Sequence, residues 1–219
     1  MIFAADAFPA GWQDLFAPSK KVGIGFDVAT TEGKKSNPAA IAITQELDSL
    51  FAVRLVIRWK SADDQVARAM LRQACQLPHG LRPRAISIDA SSERFFAQSI
   101  RREFAGIAPV RLVVSGETVP NTDPPMNYKL YLGNLLVNTM EDNRLALAPD
   151  KWLEKDLRQV KRDRGTFQAD VDESGNHGDC FDAIKLSLYS LIGRGGGAIE
   201  AHAASPGSQF HRTNSTMVF

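Results

Sequence analysis

The chain has 219 residues, 44% hydrophobic and 23% charged, with a net charge of +1, enough apolar material for one sizeable core. It is not a strongly basic protein, so any basic face must be offset by acids gathered elsewhere. Two distant cysteines, Cys75 and Cys180, outside any CxxC pairing exclude a disulfide framework and a zinc site, and no stretch approaches the roughly 18 apolar residues of a membrane span, so a soluble cytoplasmic protein is expected.

Residues 1–20 read as an irregular lead-in whose aromatics Phe3, Phe8, Trp12 and Phe16 can anchor it on a folded body. Three β-rich runs follow, "KVGIGFDVA" (21–29), "PAAIAITQEL" (38–47) and "LFAVRLVIRWK" (50–60), with short polar connections that predict consecutive antiparallel strands. The first carries a lone carboxylate, Asp27, where the apolar run gives out. A buried strand has no use for an unpartnered charge, so something should meet it.

From "SADDQVARAMLRQACQLP" the pattern takes a helical period, with Ser61 as N-cap, Asp63 and Asp64 in the first turn and a stop near Pro78. "PRAISIDASS" then predicts a strand ending in Asp89, "SERFFAQSIRREFAG" a helix that Ser91 or Ser92 can cap, and "PVRLVVSGE" another strand. Such alternation marks parallel strands joined by crossover helices. Two helical stretches are expected over 126–142 and 150–163, then a hairpin or loop in "RGTFQADVDESGNHG". A last helix begins near Asp179 and runs through "DAIKLSLYSLI". The domain proper is therefore placed at 21–193, with a flexible Gly-, Ala- and Ser-rich tail over 194–219.

The expected fold is α/β: a mixed sheet of three antiparallel strands followed by parallel strands, flanked by helices. If the strands ending in Asp27 and Asp89 lie side by side and parallel, both carboxylates emerge at the edge where open α/β sheets place their sites. Asp179 and Asp182, three apart in "HGDCFDAIKLSL", project from one helix face, and the small Ala183 lets that helix approach the sheet. Convergent carboxylates share protons or bind a hard divalent cation, and a pair of magnesium or manganese ions is the clamp used on phosphodiesters.

Each acid also has a plainer reading. Asp27 and Asp89 can serve turns, Asp179 can be an N-cap, Glu93 can complement a helix dipole instead of touching a metal, and His177 can be an ordinary loop residue instead of a contact to the scissile phosphate. The basic residues Lys34 and Lys35, and the run Lys155, Arg158, Lys161, Arg162 and Arg164, are either solvated faces or a track for a DNA backbone.

"GIGFDVA", "AISIDAS" and "HGDCFDAIKLSL" resemble the three acidic motifs of the RNase H-like (RuvC-like) nuclease domain of tailed-phage large terminase subunits, over about 21–192. The resemblance implies a metal-dependent DNA endonuclease that cuts concatemeric viral DNA during genome packaging with little sequence preference. It implies two Mg2+ or Mn2+ ions held by Asp27, Asp89 and Asp182, with Asp179 as accessory acid. It also implies double-stranded DNA as substrate, with an ATPase motor, a portal and a small terminase subunit as partners. The G-x-x-x-x-G-K-[ST] loop of a motor is missing, since Gly33-Lys34-Lys35-Ser36 lacks the earlier glycine, so a nuclease domain alone is expected. Alternatives are a resolvase- or transposase-like nuclease of the same fold, and a nonenzymatic DNA- or portal-docking module. "FDVATTEGKK" also resembles the phosphate loop of actin-like ATPases, whose duplicated module needs a longer chain.

Overall fold

The computed structural model describes residues 3–30, 37–163, 165–169 and 178–192. Nine strands and five α-helices are present among them: β1 (Phe3–Ala5), β2 (Val22–Asp27), β3 (Ala39–Leu47), β4 (Leu50–Trp59), α1 (Asp64–Ala74), β5 (Pro83–Asp89), α2 (Arg94–Phe104), β6 (Val110–Val113), α3 (Tyr128–Glu141), β7 (Leu145–Ala146), α4 (Lys151–Gln159), β8 (Val160–Asp163), β9 (Thr166–Ala169) and α5 (Asp179–Leu191). Seven of the strands make one sheet in the order β1-β4-β3-β2-β5-β6, with β7 also on β4; β8 and β9 pair apart from it. β2, β3 and β4 are antiparallel neighbours, and β2, β5 and β6 run parallel.

The alternation of side chains along the central strands divides the core in two. Val22, Ile24 and Phe26 of β2, with Ile86 and Ile88 of β5, point to one face and meet α1 and α2 through Leu71, Ile100 and Phe104. The opposite face carries Ala40 and Ala42 of β3 beneath α3 and α5, whose Leu132, Leu136, Ile184 and Leu188 close a second core. On that face β2 presents Gly23 and Gly25, and the reason is spatial. A Cβ at Gly25 would sit 2.1 Å from the Ala183 carbonyl oxygen and 2.3 Å from the Ser187 nitrogen, so α5 lies against the backbone of β2.

Several local expectations shift. α1 is capped by Asp63, whose side chain accepts from the Gln65 N–H at 2.8 Å, while Ser61 only accepts from Asp63, because the chain is still extended there. Neither Ser91 nor Ser92 caps α2; Glu93 occupies that position. The helix expected over 150–163 ends at Gln159, because Val160 turns extended and β8 folds back on β9 around Gly165, which has a positive φ of 79°. Phe167 of β9 anchors this hairpin against Gly133 of α3 and Phe181 of α5. Residues 1–20 add the edge strand β1 and bury Trp12, Leu15 and Phe16 in the first core, with Gln45 bonded to both backbone groups of Ala17. No described helix is long and apolar enough to cross a membrane.

The contact of α5 with β2 is directly testable. Gly25→Ala drives a methyl group into helix backbone, which cannot rotate away as a side chain can. Urea denaturation should show a loss of about 1–3 kcal/mol or more, and a stability equal to the parent's would refute the close approach.

Candidate metal centre

Strand parity decides where the acids point. Asp27 follows Gly23 and Gly25 on the α5 face of β2, and Asp89 follows Ala85 and Ser87 on the same face of β5. β2 and β5 run parallel with Gly23 opposite Ala85, Gly25 opposite Ser87 and Phe26 opposite Ile88, so the next two residues, Asp27 and Asp89, leave the sheet side by side. α5 descends on this pair with Asp182 in its first turn. One carboxylate oxygen from each of Asp27, Asp89 and Asp182 can be chosen so that all three lie within 4.8 Å of one another.

The three carboxylates are half-buried, and their proximity is electrostatically costly. Burial, and then the charges of Asp182, Asp89 and Asp179, push the Asp27 carboxyl well above the usual carboxylate range, while Lys185 pulls it back. An all-oxygen donor set under mutual repulsion suits a hard divalent cation such as magnesium or manganese.

Lys185 belongs to the site and was missed in the sequence reading. The residue is buried at 5% exposure, and its ammonium group donates to Asp182 Oδ1 at 2.6 Å and lies 5.7 Å from the centre of the Phe181 ring. The signal was present: a single lysine in the apolar run "AIKLSL", one turn after Asp182, is as anomalous there as Asp27 is in β2.

The other expected residues are placed as follows. Asp179 is the first residue of α5 and is buried at 1% exposure, outside the three-carboxylate cluster. It does not cap its helix, because Gly178 holds the N-cap position in a left-handed conformation, and the amides of Cys180 and Phe181 donate to Asp156 of α4 instead. Asp89 Oδ1 accepts from the Ser91 N–H at 2.8 Å, so its turn-forming role coexists with membership of the cluster. Glu93 lies outside the cluster and accepts from the Thr30 hydroxyl at 2.7 Å, tying the exit of β2 to the start of α2. Lys161 and Arg162 are exposed on β8, whose first residue, Val160, touches Gly178 at the foot of α5. Lys155 and Arg158 are exposed on α4, with Arg158 paired to Glu154. Lys34, Lys35, Arg164 and His177 lie outside the described residues.

A mixed sheet of this order, with carboxylates at the edge shared by parallel strands and the last helix, defines the RNase H-like nuclease fold. Within that class the chain has the fold of large-terminase nuclease domains. It superposes on the large terminase nuclease of thermophilic phage G20c with a TM-score of 0.55 at 16% identity, over 82% of this chain and 96% of that one. The same nuclease with bound magnesium gives a TM-score of 0.53 at 18% identity, over 82% and 95%. The large terminase of thermophilic bacteriophage D6E gives 0.53 at 14% identity over 83% of this chain, which spans only 45% of the D6E protein. No protein-family model and no curated protein matches the sequence.

The raised Asp27 carboxyl has a consequence for the metal-free protein. A group whose folded pKa lies above its unfolded value adds stability below the unfolded pKa and loses it as pH rises through the folded one, so at neutral pH Asp27 is a liability. Asp27→Asn should melt higher than the parent at pH 7 in EDTA, by about 2–4 °C for each kcal/mol of strain relieved. The difference should shrink on acidification toward pH 4, and an unchanged difference across that range would show that Asp27 is not held above its usual range.

Proposed function

We propose that this chain is a divalent-metal-dependent endodeoxyribonuclease that hydrolyses phosphodiester bonds in double-stranded DNA. The observation that carries this reading is the convergence of Asp27, Asp89 and Asp182 at the carboxyl edge of the parallel strands. The biological setting, cutting concatemeric viral DNA during genome packaging, rests on the likeness of fold to phage large-terminase nucleases. A motor ATPase, a portal and a small terminase subunit are the partners that setting brings. The magnesium bound by the G20c nuclease supports divalent cations in the same role here.

Asp27, Asp89 and Asp182 would hold the metals, two in number, with Asp179 adding negative charge behind them. When bound, such ions supply a nucleophilic water at neutral pH and stabilise the departing 3′ oxygen. The chain's own residues do the positioning. Asp27, the last residue of β2, feels the charge of both other acids. Lys185 fixes the orientation of the Asp182 carboxylate by donating to its Oδ1. The Thr30–Glu93 hydrogen bond ties together the segments that follow Asp27 at the end of β2 and Asp89 at the end of β5. Lys161 and Arg162, exposed on the hairpin whose foot touches α5, and Lys155 and Arg158, exposed on α4, would follow a phosphate backbone without reading bases.

Incubation of supercoiled plasmid with the protein and manganese or magnesium should yield nicked and then linear DNA, and EDTA should abolish it. Asp182→Asn should fold and lose more than about 100-fold in rate, beyond what removing a mere support of a ligand costs. Cleavage that persists in excess chelator overturns the metal reading, and a correctly folded parent that never cleaves favours a docking module.

The basic track makes a separate demand. Lys161→Glu with Arg162→Glu should weaken cleavage of all plasmid sequences alike and flatten its salt dependence. A changed cutting pattern at undiminished rate would instead mean that these residues read sequence.

A further inference from the structure

The helix that carries Asp179, Asp182 and Lys185 does not cap itself. Its N-cap residue, Gly178, offers no side chain, and the N–H groups of Cys180 and Phe181 donate to Asp156 Oδ2 at 3.0 and 3.4 Å. Asp156 comes from α4 and is buried at 2% exposure. Its other oxygen lies 3.7 Å from Arg58 Nη1, and the Arg58 guanidinium stacks 4.1 Å over the ring of Trp152, one turn earlier on α4.

The position of Arg58 makes this more than a cap. In the sheet, Asp27 pairs with Ala40 of β3, and Ala40 pairs with Arg58 of β4. Asp89, Asp27, Ala40 and Arg58 therefore occupy one rung across four strands and share a face, with Arg58 about 10 Å from Asp27 at two strand spacings. The rung that bears two of the clustered acids thus also bears the arginine that holds the cap of the helix bearing the third. The seam of hydrogen bonds further along α5, Thr44 to Ser187 and Ser190 to the Ile24 carbonyl, holds the middle and end of the helix, about two and three turns away from Asp179.

We propose that Arg58 and Asp156 form a register pin, which sets the height of the first turn of α5 against the Asp27–Asp89 rung and so fixes Asp182 at the distance a bound cation requires. Asp156 lies outside the three-carboxylate cluster, and Arg58 is engaged with Asp156 and Trp152; both act as positioning residues. The inference rests on the metal reading given above. Its physical basis is that backbone amides at a helix start, once bonded to a buried carboxylate, resist axial sliding, whereas a cap of water does not. A displacement of about 1 Å is enough to spoil a metal or reaction geometry.

Asp156→Asn keeps an acceptor and the shape but loses the charge that holds Arg58; Arg58→Lys loses the stacked fork and leaves the Asp156 cap in place. Leu71→Ala, in the core on the far side of the sheet, serves as a control for stability alone. Three readouts are compared: the manganese concentration that half-saturates the rise in melting temperature without DNA, the kcat and KM of plasmid cleavage, and amide exchange at Cys180 and Phe181 in EDTA. Asp156→Asn should need about 10- to 100-fold more manganese and lose a similar factor in kcat, with KM for DNA within about twofold of the parent's. Its Cys180 and Phe181 amides should exchange at least about tenfold faster. Arg58→Lys should show smaller changes of the same kind, and Leu71→Ala should melt earlier while keeping the parent's manganese midpoint. If Asp156→Asn matches Leu71→Ala in manganese midpoint and kcat, the pin is overturned while the metal reading stands. A parent whose melting temperature ignores manganese overturns the metal reading and the pin together. Should Asp156→Asn fail to fold, a parental manganese midpoint in Arg58→Lys overturns the pin by itself.

Discussion

The backbone contact between α5 and β2 is the constraint on which the site depends. Without side chains at Gly23 and Gly25, the helix sinks until its carbonyls and amides stand where Cβ atoms would be. Only at that separation can a residue in its first turn meet carboxylates that emerge from the ends of β2 and β5. Close approach also buries backbone and hydroxyl groups, and the small residues of α5 answer that demand. Ser187 bonds to Thr44 at 2.6 Å, and Ser190 bonds to Ser87 and to the Ile24 carbonyl. A seam of Leu or Val would hold the helix several ångströms off the sheet and strand Asp27 alone in an apolar strand.

Charge is arranged around α5 with the same economy. Its positive end faces the buried carboxylate of Asp156, and at its negative end Arg111 donates to the carbonyls of Tyr189 and Ile192 at 2.6 and 2.9 Å. Each opposes a helix-dipole end of opposite sign, contributing about 0.3–1 kcal/mol at exposed ends and up to about 2 where burial is favourable. Between them, four acidic side chains influence one another with Lys185 as the buried cation among them, so the metal-free site is under repulsion that cations would relieve. Under the proposed function, the same repulsion that costs stability would favour a small, hard, doubly charged partner.

The sequence by itself determined a good deal. Period-two runs ending in lone carboxylates marked β2 and β5, the switch to a helical period marked α1 and α2, and the alternation of the two implied parallel neighbours. The parity of "GIGFD", with Ile24 and Phe26 on one face and Gly23, Gly25 and Asp27 on the other, held the orientation of the central acid. Those signals are local, set by the geometry of strand and helix, and need no partner to be legible. What only the tertiary structure decided involves residues far apart in the chain. Asp156 lies in a run of basic residues with no local sign of its role, and it caps α5 from 24 residues away. That Trp12 and Phe16 can anchor the lead-in was legible, but which core they enter, one formed by strands they precede, was not. β8 parts from α4 because its residues can pair with β9, whose Phe167 has a slot at Gly133 to enter. Periodicity records which way a side chain points; which distant group meets it is settled by packing and pairing between elements, and that information exists only once the chain has closed on itself.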